Sequence, residues 1–346
     1  MTTKERALAL LESKQGEYVS GEDLAEALGV SRTSVWKAIQ ALIADGVPIA
    51  ATKNRGYKLE ASADVLSEAG IKTALKTLCE ESNDSLPFES KDPLPFDLVF
   101  DIRDTVTSTM DLGRDAIECD CAEGLVILAR EQTKGGGRRG RAFDSPRDAG
   151  VYATLVLRPT NATIDQATTI TSIAAVAACE AIEKVSGKTA SIKWVNDVFV
   201  DGKKVVGILT EGSISMELGR LEYALLGIGF DLYIPATVPS AEYAAVAGNI
   251  LDKPTPNGRN QLVAAFLQSF LKYYAALDSG TADTLPHVQA YKDRCFVIGR
   301  DVWLEQGSSR QAATVLDVDD ACRLIVQLEN GERATFASGE VSVRSE

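Results

Sequence analysis

Residues 190–209 read ASIKWVNDVFVDGKKVVGIL, and this stretch indicates the architecture of the middle of the chain. Its apolar residues predict a strand over 190–194, followed by a hairpin with strands at 198–200 and 203–209. Asp201-Gly202 lies between the hairpin strands, and Asp-Gly is typical of two-residue hairpin turns. Further strands are expected at 96–100, 125–129, 151–157 and 223–228, with helices at 110–116 and 165–185. Helices interspersed with hairpins favour a mixed α+β sheet over a doubly wound one.

Lys193 is the first residue of chemical interest in this stretch. It stands between Ile192 and Trp194, so its ammonium group is a candidate for a site sheltered by apolar neighbours. Taken alone, the position favours the simpler interpretation of a surface lysine on a strand.

A second candidate lies upstream at residues 135–141, GGGRRGR, which we call the Gly-Arg loop. Glycine lets backbone N–H groups approach a ligand closely, and arginine offers a planar fork of donors to phosphate or carboxylate oxygens. The alternative is a flexible, solvated basic turn. Together with Lys193, the loop indicates cations that converge on an anionic ligand, as phosphoryl or nucleotidyl transfer requires.

Length and charge restrict the class of protein. The chain has 346 residues, enough for two or three domains, and its 45% hydrophobic content is ordinary for a globular protein. A net charge of −13 argues against broad electrostatic binding to nucleic acid or to an anionic membrane, so any nucleic-acid contact needs a local basic patch. No apolar run is long enough to cross a bilayer, and the N-terminus opens into a helix pattern rather than a signal peptide. We therefore expect a cytoplasmic protein with no membrane partner.

The six cysteines and the single histidine restrict the chemistry further. No Cys-x-x-Cys pair occurs and His287 is isolated, which excludes the usual zinc sites and any Ser-His-Asp or Cys-His nucleophile. We expect reduced, structural cysteines, a histidine at the surface or in packing, and no metal-binding residues.

Residues 1–60 have the pattern of a winged helix-turn-helix domain. Ser20 is placed to begin a helix that Gly29 ends, and Ser31 is placed to begin the next one. A helix, a short turn with glycine and a second helix form the helix-turn-helix arrangement. A predicted hairpin over 49–59 supplies the wing.

The distribution of charge favours DNA as the ligand of this domain. Residues 31–58 contain five basic residues and one acidic one, whereas residues 1–30 contain three basic and six acidic ones. Basic residues on the recognition helix and wing are placed for phosphate contacts. A protein-interaction module is the alternative, and a patch this small suggests that a homodimer is needed for useful DNA affinity. The residues expected to contact DNA are Ser31, Arg32, Thr33, Ser34, Lys37, Lys53 and Arg55.

Three further regions follow the first domain. Residues 61–95 are expected to form a connecting helix and a proline-bearing linker, and residues 96–290 the mixed-sheet domain. Residues 291–346 contain short apolar strands and Asn330-Gly331, a hairpin signal, and predict a small SH3-like β-barrel.

The order of five motifs resembles the bifunctional biotin protein ligases of the biotin operon repressor type, over nearly the whole chain. Each motif is weak by itself, but their order and spacing are specific. The motifs are Ser108-Thr109, the Gly-Arg loop, KWVND at 193–197, KVVGILTE at 204–211 and SGEVS at 338–342.

The resemblance implies a class II synthetase-like ligase domain at residues 96–290 and a reaction in two steps. Biotin carboxylate attacks the α-phosphate of ATP to give biotinyl-5′-AMP, and a lysine of the biotin carboxyl carrier protein then takes the biotin. Mg²⁺ accompanies ATP, held mainly by phosphates. Operator DNA is the other implied partner.

The resemblance also implies a role for each site residue. Lys193 and Arg138 are the implied catalytic residues. Those implied to bind biotin are Ser108, Thr109, Met110, Gln132, Gly136, Gly137, Arg138 and Lys193. Those implied to bind the nucleotide are Arg138, Arg139, Arg141, Phe143, Trp194 and Asn196.

The sequence departs from the family pattern at four places. Val195 stands where proline is usual, Gly136 where arginine is common, Met110 where asparagine follows Ser-Thr, and Phe230-Asp231 where Ile-Asn is usual. These changes bear on ligand affinity more than on the type of reaction. Two alternatives therefore remain: a transcription factor whose ligase domain only senses biotin, and a lipoate or octanoate transferase.

Overall fold

The computed structural model describes residues 2–82, 96–160, 162, 168–215, 217, 219–279, 285–306 and 309–344. The proline-bearing linker expected up to residue 95 and the first residues of the helix expected from 165 lie outside these ranges.

The N-terminal region folds as three helices and a hairpin with an apolar core of its own. Serine side chains begin two of the helices: the hydroxyls of Ser20 and Ser31 accept hydrogen bonds from the backbone N–H groups of Asp23 and Ser34, at 3.0 and 3.1 Å. The predicted helix-turn-helix with its hairpin is confirmed. The elements are α1 (Thr3–Glu12), α2 (Gly21–Leu28), α3 (Arg32–Ala44), β1 (Ile49–Thr52) and β2 (Gly56–Leu59), and the core includes Leu11, Leu24, Ile39 and Leu59.

The centre of the chain is a seven-stranded mixed sheet, which confirms the predicted α+β class. Its strands are β3 (Val99–Val106), β4 (Leu125–Gln132), β5 (Gly150–Leu157), β6 (Ala190–Lys193), β7 (Asp197–Val200), β8 (Lys203–Ser215) and β9 (Arg220–Asp231). The order across the sheet is β3-β4-β5-β9-β8-β7-β6, and β3 and β4 are its parallel pair. At the β7–β8 turn Asp201 and Gly202 both have positive φ, 51° and 74°, as the Asp-Gly pattern predicts. The first strand differs from its prediction at 96–100, since pairing with β4 extends it to Val106.

Helices cover both faces of the sheet. They are α4 (Glu68–Ser82), α5 (Thr109–Glu118), α6 (Thr169–Ser186), α7 (Ala241–Val246), α8 (Gly258–Ser279) and α9 (His287–Arg294). Helices α6 and α8 contribute to the large core on one face, while α5 packs on the other face through Met110 against Val156 and Leu225. Helix α8 was not anticipated, because residues 262–267 are buried in succession and give no amphipathic stripe.

A buried ion pair joins the connector after the first domain to the sheet. Asp64 and Arg259, whose side chains are 3% and 7% exposed, approach to 2.8 Å. The Arg259 guanidinium also donates to the carbonyl oxygens of Asp148 and Gly150 at the start of β5. Because breaking a buried pair leaves an uncompensated charge, this contact fixes the connector against the central sheet.

The C-terminal region is a five-stranded antiparallel sheet in the order β13-β12-β11-β10-β14. Its strands are β10 (Asp301–Gln306), β11 (Ser309–Val318), β12 (Leu324–Leu328), β13 (Arg333–Phe336) and β14 (Glu340–Val343). None of the six cysteines, all of which lie in the described ranges, is in a disulfide. His287 is a buried packing residue at the start of α9, and burial lowers its pKa to about 4.

Candidate active site and nucleic-acid interface

A cavity lies on the α5 side of the sheet, above a floor of glycines. A Cβ atom placed on Gly207 would stand 2.6 Å from the Phe143 ring, and one on Gly227 would stand 2.7 Å from Met110 Sδ. Gly229 lies equally close under Phe143. The central strands therefore need glycine at these positions so that side chains and ligands can lie against the backbone.

The cavity is small in this conformation, at about 50 Å³. That volume admits a few water molecules but not a bicyclic ring or a nucleotide. A ligand of that size would need the cavity to widen, and Met110 and Phe143 are the side chains that lie over the glycines. The lining residues are Ser108, Thr109, Met110, Gln132, Gly136, Gly137, Arg138, Phe143, Ala153, Asn196, Lys204, Gly207, Ile208, Leu209, Gly227, Ile228 and Gly229.

A chain of polar side chains follows one wall of the cavity. Thr154 Oγ1 donates to Thr109 Oγ1 at 2.9 Å, and Thr109 donates to Gln132 Oε1 from its backbone N–H at 2.8 Å and its hydroxyl at 3.1 Å. Gln132 Nε2 in turn donates to Ser145 Oγ at 2.8 Å. Ser108 begins α5 and accepts from the Met110 N–H at 3.2 Å. These groups offer both donors and acceptors to a polar ring system.

The Gly-Arg loop closes the cavity from above. Its ends are held by backbone hydrogen bonds, from Gly137 N–H to Arg141 O at 2.7 Å and from Phe143 N–H to Gly135 O at 2.8 Å. Arg138 points inward and donates from Nη1 to Asn196 Oδ1 at 2.8 Å. Burial lowers the pKa of the Arg138 guanidinium from its usual value, an effect that the carboxylate of Glu340 opposes.

The other two arginines of the loop point away from the cavity, toward the C-terminal sheet. Arg141 Nη2 lies 2.7 Å from Glu340 Oε2, and Arg139 Nη1 lies 3.8 Å from Glu340 Oε1. Arg139 also donates to the Glu305 carbonyl at 3.2 Å. In this conformation, therefore, only Arg138 of the three arginines lines the cavity.

Of the two lysines at the β6–β8 edge of the sheet, Lys204 lines the cavity, whereas Lys193 is not among its lining residues. Lys204 pairs with Asp197 Oδ1 at 2.8 Å and lies 5.8 Å from the centre of the Phe143 ring. Lys193, half-buried at the end of β6, is directly opposite Asp197 in the antiparallel pair and so shares its face of the sheet. Sequence reasoning assigned no role to Lys204 or Asp197, although both lie within family motifs, and that position was the signal that could have identified them.

The structure corrects the position expected for Trp194. Its ring is 2% exposed and outside the cavity lining, and the indole N–H donates to the Cys322 carbonyl at 2.9 Å. The indole thus packs against the C-terminal region instead of facing a nucleotide, because its N–H finds a buried acceptor there.

Of the four departures from the family pattern, Gly136 and Met110 line the cavity and the others do not. Gly136 has open space around it, since a Cβ atom placed there would have no neighbour within 4 Å, and Met110 lies over Gly227. Val195 is buried, and its carbonyl accepts from Tyr291 at 3.1 Å. Asp231 is buried at the end of β9, accepts from Tyr243 at 3.2 Å, and has its pKa raised by burial to about 7.

Most of the residues expected to contact DNA are exposed in the first domain. Arg32, Thr33 and Lys37 are exposed on α3, and Lys53 and Arg55 are exposed at the hairpin tip. Ser31 and Ser34 bond to each other at the start of α3, at 2.9 Å, and so help to cap the helix.

The described ranges contain neither a membrane-spanning helix nor a cluster of metal-binding side chains. None of their helices is long and apolar enough to cross a membrane. Nor do they contain a group of three or more His, Cys, Asp or Glu side chains arranged to hold a metal ion.

Sequence comparison defines the class of each region. Residues 103–231 match the Biotin/lipoate A/B protein ligase family, residues 3–58 match an HTH domain, and residues 297–344 match the biotin protein ligase C-terminal domain. The molecule is therefore of the class in which a DNA-binding type of domain precedes a ligase domain.

Individual relatives narrow this class. The biotin--[acetyl-CoA-carboxylase] ligase of Paracoccus denitrificans is 31% identical over 223 residues, covering 61% of this chain and 88% of that protein. The bifunctional ligase/repressor BirA of Bacillus subtilis is 33% identical over 231 residues, which is 67% of this chain and 65% of that protein. The chain belongs to the biotin protein ligase family.

A solved structure supports the fold. The biotin protein ligase from Aquifex aeolicus in complex with biotin and ATP superimposes with a TM-score of 0.56 at 22% identity, covering 72% of this chain and all of that one.

Proposed function

We propose that this protein activates biotin with ATP to biotinyl-5′-AMP and transfers biotin to a lysine of a biotin carboxyl carrier protein. The observation that carries the proposal is the cavity itself, where the inward-pointing Arg138, the Lys204–Asp197 pair and the donor and acceptor wall of Thr109 and Gln132 meet above a glycine floor.

The chemistry divides among these groups. In the first step an oxygen of the biotin carboxylate bonds to the α-phosphorus while pyrophosphate leaves. Arg138 and Lys193 stabilise the charge that develops on the phosphoryl oxygens, with Lys204 adding to the positive potential. In the second step the amine of the carrier lysine attacks the acyl carbon, and AMP leaves.

The walls of the cavity supply the groups that bind the ligands. Once Met110 has moved, the biotin ring is bound by Ser108, Thr109, Gln132 and the backbone of Gly136 and Gly137. Phe143 and Asn196 contact the nucleotide, and Arg139 and Arg141 join them when the loop releases Glu340. ATP would enter as its Mg²⁺ complex, with the ion held mainly by phosphate oxygens.

The proposal extends to regulation. A winged-helix domain at residues 1–60, followed by a connector at 61–95, binds operator DNA as part of a homodimer and represses transcription in response to biotin. The ligase domain at 96–290 has the class II synthetase-like arrangement, residues 291–346 form an SH3-like barrel, and the protein works in the cytoplasm. The match of residues 3–58 to an HTH domain supports the DNA-binding role.

The test is biotin transfer to a carrier domain. The full chain is incubated with MgATP, biotin and a purified biotin carboxyl carrier domain, and labelling is detected with avidin. We expect labelling that needs both ATP and biotin, and none on a carrier whose acceptor lysine is replaced by arginine.

Two results would refute the proposal in different ways. Tight biotin binding without labelling would identify a sensor instead of a ligase. Labelling with lipoate or octanoate but not with biotin would identify a transferase of the other acyl groups.

A further inference from the structure

Trp36 is an aromatic side chain that the fold leaves uncovered. On α3 the buried face consists of Val35, Ala38, Ile39 and Leu42, and Trp36 points away from it with 53% of its surface exposed. The other two tryptophans are covered: Trp194 is buried, and Trp303 lies between the guanidinium groups of Arg310 and Arg344 at 4.6 and 4.8 Å. In the described ranges no ring or cation stacks on Trp36. A single exposed ring does not by itself mark a contact surface, so the charges beside it on α3 bear on its role.

The charges around Trp36 indicate the kind of partner. Within the described ranges, four basic side chains of the domain form no ion pair with a carboxylate: Arg32, Lys37, Lys53 and Arg55. Other basic residues of the domain do form such pairs, as Lys58 does with Glu60 at 3.3 Å. Four unneutralised cations in a protein of net charge −13 are complementary to a polyanion.

Arg55 at the tip of the wing is held in position by an aromatic ring. The Arg55 guanidinium lies 4.2 Å from the centre of the Tyr18 ring, and the Tyr18 hydroxyl lies 3.0 Å from Thr52 Oγ1. Along α3, Arg32 lies one turn before Trp36 and Lys37 directly follows it, so cations adjoin the exposed ring. This arrangement fits a recognition helix whose basic residues contact phosphates while a neighbouring side chain contacts base edges.

We propose that Trp36 lies against the C5-methyl group of a thymine in the major groove and so sets a thymine preference at one position of each half-site. The thymine methyl is the apolar group that the major-groove edges of unmodified bases offer, and a largely apolar indole ring suits it. Arg32, Lys37, Lys53 and Arg55 bind phosphates without sequence preference. This inference rests on the DNA binding proposed above.

The experiment combines a protein variant with a base analogue. Duplexes are first enriched from a randomised pool by the wild-type full chain with biotin and MgATP, and the conserved thymine positions are then replaced one at a time by uracil, which lacks the methyl group. At one position we expect uracil to weaken wild-type binding about fourfold, the worth of one buried methyl group. Trp36→Ala binds the thymine site roughly tenfold more weakly than wild type and shows no further loss with uracil.

The matched control is Lys37→Ala, the exposed neighbour of Trp36. It lowers affinity for all duplexes alike and reduces the slope of log affinity against log salt by about one, while keeping the uracil effect. Melting temperature and biotin transfer, measured on both variants, show that the fold and the ligase site are intact.

Three results would overturn the inference. The same thymine preference and uracil effect in Trp36→Ala would remove the role of the side chain while leaving DNA binding in place. Unchanged DNA binding in Trp36→Ala with a loss of self-association would assign the ring to a protein contact. A wild-type chain that enriches no sequence would refute both this inference and the proposed DNA binding, whereas biotin transfer would remain as the test of the ligase.

Discussion

Arg138 is the residue on which we expect ligand retention to depend most directly. Its hydrogen-bond partner is the neutral amide of Asn196, which itself donates to the Ile208 carbonyl at 2.9 Å. The guanidinium is thus oriented without being neutralised by a directly bonded carboxylate. A half-buried cation of this kind has a strong interaction to offer to an anionic ligand.

Replacing Arg138 is therefore expected to accelerate loss of the adenylate. A hydrogen bond to a charged group contributes about 1.5–3 kcal/mol, so Arg138→Ala should release biotinyl-5′-AMP roughly tenfold to a hundredfold faster than the wild type. Arg138→Lys keeps the charge but not the planar fork, and should fall between the two. Rapid-mixing measurement of adenylate dissociation checks this.

A suitable control is Arg103→Ala, since Arg103 pairs with Asp101 on β3 and is absent from the cavity lining. Equal dissociation rates for wild type and Arg138→Ala would contradict the assigned role.

At the residue scale, the sequence predicted the site residues that lie next to one another in one helix start or one short loop. Ser108, Thr109 and Met110 reach the cavity because they begin one helix, and Gly136 to Arg138 because they lie in one short loop. Trp194 could not be placed in this way, because its hydrogen-bond acceptor, Cys322, is 128 residues further along the chain. The exposed side of Trp36 likewise depends on which face of α3 the domain core covers.

At the scale of elements, ion pairs join the Gly-Arg loop to Glu340 at the start of β14, and we expect them to bear on how readily the loop moves. Glu340 pairs with Arg139 and Arg141 in the conformation described, and these pairs compete with any anionic ligand for the same arginines. Since Arg141 is largely exposed, the ion pair contributes only about 0–1 kcal/mol to folding stability. Its main effect is on the loop and not on the fold.

Glu340→Gln is expected to free the loop. The KM for biotin should change several-fold in the adenylation step, whereas the melting temperature should change by no more than about 2 °C.

Glu305→Gln is the matched control, since Glu305 lies directly opposite Glu340 on β10 and its side chain pairs with Arg310 at 3.7 Å. If Glu305→Gln altered KM as much as Glu340→Gln did, net charge and not the loop contact would be responsible.

The elements differed in how far the sequence could predict them. The β7–β8 hairpin carries its own turn signal, so its position followed from Asp201-Gly202. Helix α8 has no such local signal, because it is buried against α4, α6 and the sheet and shows no polar stripe over residues 262–267.

In the whole molecule, the interface between the first domain and the ligase domain contains a titratable group. Glu12, at the end of α1, accepts hydrogen bonds from Ser67 Oγ at 2.7 and 2.8 Å, and the Ser67 backbone N–H donates to Asn260 of α8 at 3.0 Å. Burial raises the pKa of Glu12 from 4.5 to about 7, although the Ser67 hydrogen bond opposes the shift.

The raised pKa makes this interface dependent on pH. The folded protein holds the Glu12 proton more tightly than the unfolded chain does. Protonated Glu12 therefore makes its full contribution to the free energy of unfolding below about pH 4.5, and this contribution is lost as pH rises to about 7. Glu12→Gln removes the charge, and should therefore raise the melting temperature by a few degrees at pH 8 and leave it nearly unchanged at pH 4.5.

Thermal melts of wild type and variant across pH 4.5–8 measure this difference directly. Glu17→Gln, an exposed neighbour in the same domain, should show no pH-dependent difference from wild type. A wild type and a Glu12→Gln variant whose melting temperatures differ by the same amount at every pH would contradict the assignment.

The central claim is that the cavity forms an acyl-adenylate from biotin and ATP. Exchange of labelled pyrophosphate into ATP reports this step alone, without a carrier protein or DNA. We expect exchange that depends on biotin in the wild type and falls at least about a hundredfold in Lys193→Ala, with the melting temperature retained. Absence of biotin-dependent exchange in a folded wild-type protein that binds biotin tightly would contradict the account.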